Sequence, residues 1–226
     1  MDNGQDTRAG VADSHKRDFW IQENKKHIAA HYRLRKTGQV VNRVAGAGER
    51  DLLDVGCGPA TLATVLRPGI NYYGIDIAIQ VPSPNLAELD ILKQPITFDD
   101  RRFDVVVAQG LFEYLSDKQS QKLAEIADLL TSDGKFVVTY TNFGHRAKYV
   151  FEAFSNVQPV ASFRDALSRD FTIREVFPTA YNWHGGQPRR GLVQAVNMHL
   201  NANIPVIAPR LAVEYFFVCV PRGGRD

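Results

Sequence analysis

Short apolar runs alternate with amphipathic segments along most of this 226-residue chain. Continuous apolar runs of about four to eight residues are typical of strands that are buried on both faces of a parallel sheet. Apolar residues spaced three or four positions apart predict helices between them. The alternation therefore predicts an α/β fold with helices on both faces of the sheet. The predicted strands span residues 51–55, 71–75, 86–91, 103–109, 135–140, 171–177 and 212–220.

The predicted last strand follows the sixth without a clean helical crossover, so we expect it to run antiparallel to an otherwise parallel sheet. Residues 1–16 are polar and are expected to form a disordered tail. Residues 17–226 are expected to form a single domain that begins with a helical extension. The predicted helices span residues 17–44, 60–66, 117–130, 145–154, 162–168 and 192–200.

Composition narrows the class of protein. Hydrophobic residues make up 44% of the chain and charged residues 23%, as in ordinary globular proteins. A net charge of +2 is too small to indicate a nucleic-acid partner. Cys57 and Cys219 are the only cysteines, so neither a disulfide framework nor a metal site is predicted. The sequence lacks an apolar run long enough to span a membrane and a signal-peptide core, so we expect a cytoplasmic protein.

A buried strand, a turn of small residues and a helix follow one another between Asp51 and Leu66 (DLLDVGCGPATLATVL). Gly56 and Gly58 have no Cβ, so the backbone can turn tightly and a ligand can approach it closely. Pro59 is expected to begin the helix, whose free N–H groups would face the contents of the turn. Such a unit predicts a site for an adenosine-containing cofactor.

The pattern D-x-G-x-G, formed by Asp54, Gly56 and Gly58, resembles motif I of the class I S-adenosylmethionine-dependent methyltransferases. The resemblance implies a Rossmann-like fold in which the acid faces the ammonium group of the cofactor. A carboxylate suits an ammonium group but would repel a pyrophosphate. Thr61 stands where the dinucleotide fingerprint G-x-G-x-x-G has its third glycine. Ala60 departs from the glycine that many members of the family have.

The resemblance implies a cofactor contact at the end of each of the first four predicted strands. Asp76 would accept hydrogen bonds from the ribose hydroxyls, and Asp90 from the adenine amino group. The complete set of implied S-adenosylmethionine contacts is Asp54, Gly56, Cys57, Gly58, Asp76, Ile77, Asp90, Ile91, Gln109 and Gly110. Cys57 is interpreted as a small packing residue beside the cofactor rather than a nucleophile.

An insertion at about 178–210 lies where the ordinary fold has a hairpin, and we interpret it as a substrate lid. It contains Trp183 and Arg189, which supply aromatic surface and fixed positive charge for binding a substrate. Histidine suits the role of a general base near neutral pH. His145, after the fifth strand, and His184, in the insertion, are therefore the two candidates for a catalytic base.

Tyr114 and Asn142 follow the fourth and fifth predicted strands and are candidates for positioning a methyl acceptor. The sequence predicts methyl transfer to a small or medium-sized metabolite, with the hydroxyl of a sugar or polyol as the favoured acceptor. N-methylation of a small amine and a non-catalytic cofactor-binding protein remain alternatives. An NAD(P)-dependent oxidoreductase is a further alternative, although Gly144 stands where Tyr140 would need a lysine four residues later for the short-chain form.

Overall fold

The computed structural model describes residues 16–25, 28–143, 154–181 and 191–223. These residues form a seven-stranded sheet with the order β3-β2-β1-β4-β5-β7-β6. The strand bounds agree with the sequence prediction to within two residues, except that β3 is shorter and β5 begins earlier. The strands are β1 (Arg50–Val55), β2 (Ile70–Asp76), β3 (Leu86–Glu88), β4 (Phe103–Ala108), β5 (Leu130–Thr141), β6 (Phe171–Pro178) and β7 (Glu214–Pro221).

The described residues contain two helices where the sequence predicted a single helix over 17–44. The second of them begins after His31, whose backbone is extended and whose Nδ1 accepts a hydrogen bond from the Leu34 N–H at 3.4 Å. This side-chain cap starts a new helix, which explains the division. The predicted helix over 145–154 falls outside the described residues except for Phe154, which is not helical. The α-helices are α1 (Arg17–Asn24), α2 (Tyr32–Ala45), α3 (Gln119–Leu129), α4 (Val160–Asp170), α5 (Leu192–His199) and α6 (Ala208–Leu211).

The predicted helix over 60–66 is wrong in type and in starting residue. The structure has only a five-residue 3₁₀ helix there, Thr61–Val65, and Pro59 lies before it. Gly58 and Ala60 have φ angles of 53° and 56°, in the left-handed region. A chain that alternates into this region cannot continue an α-helix from Pro59. The turn is consequently followed by a tight connection rather than by a full helix with its dipole.

The sheet is parallel except at one end, as the sequence predicted. β1 pairs in parallel with β2 and with β4, and β4 pairs in parallel with β5. β7 runs antiparallel between β5 and β6. The strand order reverses between β1 and β4, which is where ligands bind in open α/β sheets, beyond the carboxyl ends of the strands. The start of β7 lies at the same edge, because Glu214 is opposite Thr141.

Two apolar layers cover the sheet. On one face Val40 and Val41 of α2 pack with Leu52 and other sheet residues. On the other face Phe163 of α4 is fully buried and stacks on Tyr140 of β5, with ring centroids 4.2 Å apart. Helices on both faces were predicted and are confirmed. A search of the described helices finds no candidate transmembrane segment.

The stacked pair gives a test of the second layer. Phe163→Ala should lower the free energy of unfolding by about 3–5 kcal/mol, because it removes a buried ring and leaves a cavity. Urea denaturation followed by circular dichroism measures this change. Val81→Ala serves as the control, since Val81 is 75% exposed, and should alter stability by no more than about 0.5 kcal/mol. A loss for Phe163→Ala as small as that of the control would contradict the packing described.

Candidate functional site

One cavity opens at the carboxyl ends of the parallel strands, around the point where the strand order reverses. The ten residues that the resemblance implies as cofactor contacts all line it. They come from the ends of β1, β2 and β4 and from the turn after β3. A parallel sheet places these ends at one edge, so local sequence signals from four separate segments converge on a common space.

The turn after β1 is built to let a ligand approach its backbone. The N–H groups of Gly56 and Cys57 both donate to the carbonyl oxygen of Ile75, at 2.8 and 3.1 Å. Gly56 has a φ of 77°, and a Cβ at this residue would lie 3.1 Å from Leu111. A Cβ at Gly58 would lie 3.1 Å from the Asn24 side chain. Both glycines are therefore required by backbone angle and by space.

Asp76, at the end of β2, is fixed by backbone donors. Its Oδ2 accepts from the Gly58 N–H and its Oδ1 from the Ala78 N–H, both at 2.8 Å. Burial raises the pKa of this carboxyl, and the two backbone hydrogen bonds oppose the increase. A carboxylate has about four acceptor positions. Asp76 therefore keeps capacity to accept from neighbouring hydroxyl groups of a bound ligand.

Asp54, in β1, is a buried acid whose charge is poorly compensated. Burial raises the pKa of its carboxyl to about 7, although the hydrogen bond that the Tyr72 hydroxyl donates at 2.8 Å opposes the increase. The nearby charge of Asp76 raises the pKa further. A cation placed against Asp54 would favour its ionised form, whereas a phosphate would do the reverse. The electrostatics at this end of the cavity would therefore favour a cationic group over an anionic one.

The Cys57 thiol is a packing group in this structure. It is 7% exposed, and a Cβ on the neighbouring Gly74 would come within 2.8 Å of its sulfur. Burial and the charges of Asp54 and Asp76 raise its pKa, so the thiolate is disfavoured. A nucleophilic cysteine needs a lowered pKa. Cys57 thus fills the space between β1 and β2.

The far end of the cavity combines one acid with an apolar slot. Asp90 lies in the turn after β3, because the strand ends at Glu88 rather than at residue 91 as predicted. Its Oδ1 accepts from the Leu92 N–H at 3.1 Å, and its Oδ2 pairs with Lys93 at 2.7 Å. Apolar side chains flank this acid and form a surface on which a planar aromatic ring of a ligand could pack. They belong to Ile77, Leu89, Ile91 and Leu92.

Helix α1 lies across the cavity, which the sequence analysis did not foresee. Trp20 and Asn24 of α1 are lining residues, and Trp20 contacts Tyr114 edge to face with ring centroids 4.9 Å apart. Arg17 pairs with both carboxylate oxygens of Glu88, at 2.8 and 2.9 Å. The cavity has a volume of about 210 Å³, below the roughly 300–1,000 Å³ typical of small-molecule sites. The only sequence signal for this cover is the aromatic pair Phe19-Trp20 in a polar segment.

Arg33, in the first turn of α2, is also a lining residue that sequence reasoning missed. Its Nε donates to Glu214 Oε2 at 2.8 Å, and its Nη2 donates to Glu214 Oε1. Nη2 also donates to Thr139 Oγ1 at 3.3 Å, which in turn accepts from the Gly110 N–H at 2.9 Å. Burial opposes the charge of Arg33, but the neighbouring carboxylates raise its pKa overall. Among the described lining residues, Arg33 is the one permanently charged cation.

A second buried acid lies close to Arg33. Glu113 is 1% exposed, and its Oε1 accepts from both the N–H and the hydroxyl of Thr141, at 2.8 Å each. Its Oε2 has no hydrogen-bond partner. Burial and the charge of Glu214 raise its pKa, and the charge of Arg33 opposes this. With both carboxyls ionised, two negative charges would face one positive charge at this end of the site.

The candidate substrate residues have different locations. Tyr114 lines the cavity. Asn142 does not: its Nδ2 donates to the carbonyl oxygens of Pro209 and Ala212, at 3.2 and 3.0 Å, and it links β5 to the chain before β7. The remaining four candidates lie outside the described residues, so their roles stay predictions. They are His145, His184, Trp183 and Arg189.

Comparison with known proteins identifies the class. Residues 29–180, more than half of the chain, match a family model described as a methyltransferase domain. A comparison with curated proteins finds no significant match. The chain therefore belongs to the methyltransferase domain family. The fold, the family and the cavity together define a class I S-adenosylmethionine-dependent methyltransferase, and the oxidoreductase alternative is set aside.

Solved structures share the fold. A putative methyltransferase of Haloferax volcanii, in complex with the Trm112 methyltransferase activator, has a TM-score of 0.65 and 19% identity over 96% of this chain and 100% of its own. An S-adenosylmethionine-dependent methyltransferase of Clostridium acetobutylicum has a TM-score of 0.60 and 13% identity over 90% of this chain and 97% of its own. The N-methyltransferase NodS of Bradyrhizobium japonicum, bound to S-adenosylhomocysteine, has a TM-score of 0.57 and 14% identity over 91% of this chain and 99% of its own.

The raised pKa of Asp54 predicts proton release when the cofactor product binds. Near pH 7 this carboxyl is about half protonated, and an ammonium group against it favours ionisation, so S-adenosylhomocysteine should displace about half a proton. Calorimetry in buffers of different ionisation enthalpy measures this number. Proton release from this carboxyl should be absent at pH 9 and in the Asp54→Asn variant. Binding enthalpies that are independent of the buffer at pH 7 would contradict the assignment of Asp54.

The sign of the effect on stability follows from the same shift. The pKa of Asp54 is higher in the folded chain than its ordinary value of 3.8. Ionisation of this group therefore destabilises the ligand-free fold, increasingly as the pH rises from about 4 through about 7. Asp54→Asn should remove this contribution, which thermal unfolding at pH 5 and pH 8 would detect.

Proposed function

We propose that this methyltransferase acts on a small or medium-sized metabolite and methylates a hydroxyl group, such as that of a sugar or polyol. The observation that carries the proposal is the order of acids around one cavity: Asp54, Asp76 and Asp90 stand at successive strand ends. The cavity is partly covered by α1, which favours a small acceptor over a macromolecule. The net charge of the whole chain is only +2, which does not favour a nucleic acid as the substrate.

The residues present fit S-adenosylmethionine. We assign the ammonium group to Asp54, the ribose hydroxyls to Asp76, and the adenine ring to the apolar slot beside Asp90. The glycines of the turn leave room for the methionine chain against the backbone. Arg33 is the fixed cation that the carboxylate of an amino acid requires. When bound, this cofactor supplies a methyl group on a sulfonium, which a nucleophile displaces in line.

The protein's own part in such a reaction is to align the acceptor and exclude water. Alignment supplies most of the rate in a displacement of this kind. Trp20 and Tyr114, in edge-to-face contact, form an aromatic wall of the cavity. His145 and His184 remain the candidates for a general base.

N-methylation of a small amine is the second candidate. It is favoured by Glu113, whose buried Oε2 is unpartnered and which adds a carboxylate next to the Arg33–Glu214 pair. A surplus of negative charge would stabilise a cationic amine near this end of the cavity. The structural neighbour NodS is an N-methyltransferase, which agrees with this candidate at the level of the fold.

A product assay tests the function. Purified protein is incubated with S-adenosylmethionine and matched pairs of acceptors that differ only in a hydroxyl or an amine, and S-adenosylhomocysteine is quantified. Turnover on polyols would support O-methylation, and turnover on amines alone would replace it by the second candidate. Calorimetry with NADH is the control for cofactor choice. Binding of S-adenosylmethionine without turnover on any acceptor would favour the non-catalytic alternative.

Asp76→Ala should weaken binding of S-adenosylhomocysteine by about tenfold or more, because two charge-assisted hydrogen bonds to the ribose are lost. Asp76→Asn should lose less affinity, since its amide oxygen can still accept a hydrogen bond. Calorimetry measures both, and Asp133→Ala, in an exposed position of β5, is the matched control. Unchanged affinity of Asp76→Ala would refute the ribose assignment.

Arg33→Met should weaken S-adenosylhomocysteine by about tenfold or more, because a charged hydrogen bond to the carboxylate is lost. The same variant should weaken 5′-methylthioadenosine much less, since that ligand lacks the amino-acid end. The affinity of Arg33→Lys for S-adenosylhomocysteine should lie between that of Arg33→Met and that of the wild type. Equal weakening of both ligands would indicate a general loss of structure instead, and thermal unfolding of each variant provides the check.

A further inference from the structure

Helix α5 has its apolar side turned outward. Leu192, Val193 and Val196 are 80%, 60% and 53% exposed. At 100° per residue these three positions fall within an arc of about 100° on one side of the helix. The buried residue of α5 is polar: Asn197 is 5% exposed, and its side chain donates to and accepts from the backbone of Tyr181. Such a helix leaves its hydrophobic side without a partner in the described chain.

The loop after α5 adds three more exposed apolar side chains. Ile204, Val206 and Ile207 are 38%, 72% and 40% exposed. Together with the three residues of α5 they account for six of the nine exposed large hydrophobic residues in the described chain. Scattered single residues of this kind need no explanation, but a cluster does. We call these six residues the apolar ridge.

The ridge stands on a fixed base. Lys36 of α2 is fully buried, and its Nζ donates to the carbonyl oxygens of Asn197 and Leu200, at 2.5 and 3.1 Å, at the end of α5. The Tyr181 hydroxyl donates to the Ala202 carbonyl at 2.6 Å and accepts from the Ile204 N–H at 2.9 Å. Hydrogen bonds therefore hold both α5 and the loop, while their apolar side chains stay exposed. The exposed apolar side chains of the ridge thus belong to an ordered part of the fold.

Charge indicates what could cover the ridge. From Phe177 to Val213 the sequence has three arginines and no acidic residue. Arg210, the arginine of this stretch that the structure describes, is exposed directly after the loop. In a two-fold symmetric dimer the same patch faces itself, which would bring like charges together. A surface that combines exposed apolar side chains with cations, and lacks anions, is typical of segments that bind an anionic lipid interface.

We propose that the apolar ridge docks the enzyme on the surface of a bilayer that contains anionic phospholipids. The side chains of the ridge enter the headgroup region, and Arg210 contacts lipid phosphates. The ridge lies near the wall of the cavity to which Arg33 belongs, because Lys36, which holds α5, is one helical turn from Arg33. Docking at this surface is independent of the acceptor that the enzyme methylates.

Vesicle flotation tests the proposal. The full chain is mixed with vesicles of phosphatidylcholine alone or with phosphatidylglycerol added, and the bound fraction is measured. We expect binding to the anionic vesicles that falls with rising salt, and little binding to the neutral ones. The double variant Val193→Asp/Val196→Asp should lower the affinity about tenfold or more. Arg210→Ala should lower it by up to about fivefold.

Controls separate the ridge from general effects. Val81→Asp places the same charge at a residue that is 75% exposed elsewhere, and it should float as the wild type does. Calorimetric binding of S-adenosylhomocysteine should be unchanged in every variant, which shows that the fold and the cofactor site are intact. Equal binding to neutral and anionic vesicles, none to either, or unaltered binding by the double variant would overturn the proposal. So would a dimer in solution that the double variant converts to a monomer, because the occupant would then be a second copy.

Discussion

The ion pair between Arg33 and Glu214 joins the beginning of the described fold to its last strand. Arg33 lies in the first turn of α2, and Glu214 begins β7, the antiparallel strand that is inserted between β5 and β6. The pair is bidentate and largely buried, and loss of one partner would leave an uncompensated charge in the interior. Thr139 extends it to Gly110, so one guanidinium connects α2 with β4, β5 and β7. The wall of the cavity depends on this junction.

The cavity concentrates negative charge that the fold alone does not neutralise. Burial raises the pKa of Asp54, Asp76 and Glu113, which means that each carboxylate is less favourable in the folded chain than in water. Such groups reduce stability unless a ligand compensates them. In the proposed binding mode, the zwitterionic end of S-adenosylmethionine would bring an ammonium group to the acids and a carboxylate to Arg33. The same acids that reduce the stability of the fold would then favour a cationic ligand.

The sequence predicted the fold well where the signal is local, and the residues that it assigned to the cofactor all line one cavity. Each parallel strand is a short apolar run, and each contact follows directly at its carboxyl end, so position along the chain determines position at the sheet edge. Trp20, Asn24 and Arg33 reach the cavity from helices that cross the sheet, and no local pattern shows where a helix will lie. The helix predicted over 60–66 failed because Ala60 adopts a left-handed conformation that is rarely favoured by alanine. A glycine at this position would adopt it without strain.

Helix α2 connects events at the cavity with the outer surface. Arg33 faces the cavity, and Lys36, one turn later, holds the carboxyl end of α5. Burial and the charge of Arg43 lower the pKa of Lys36 to about 8, so its charge is retained at neutral pH and decreases above it. The same helix thus supplies a wall of the cavity and, through the Lys36 ammonium group, the support of the apolar ridge.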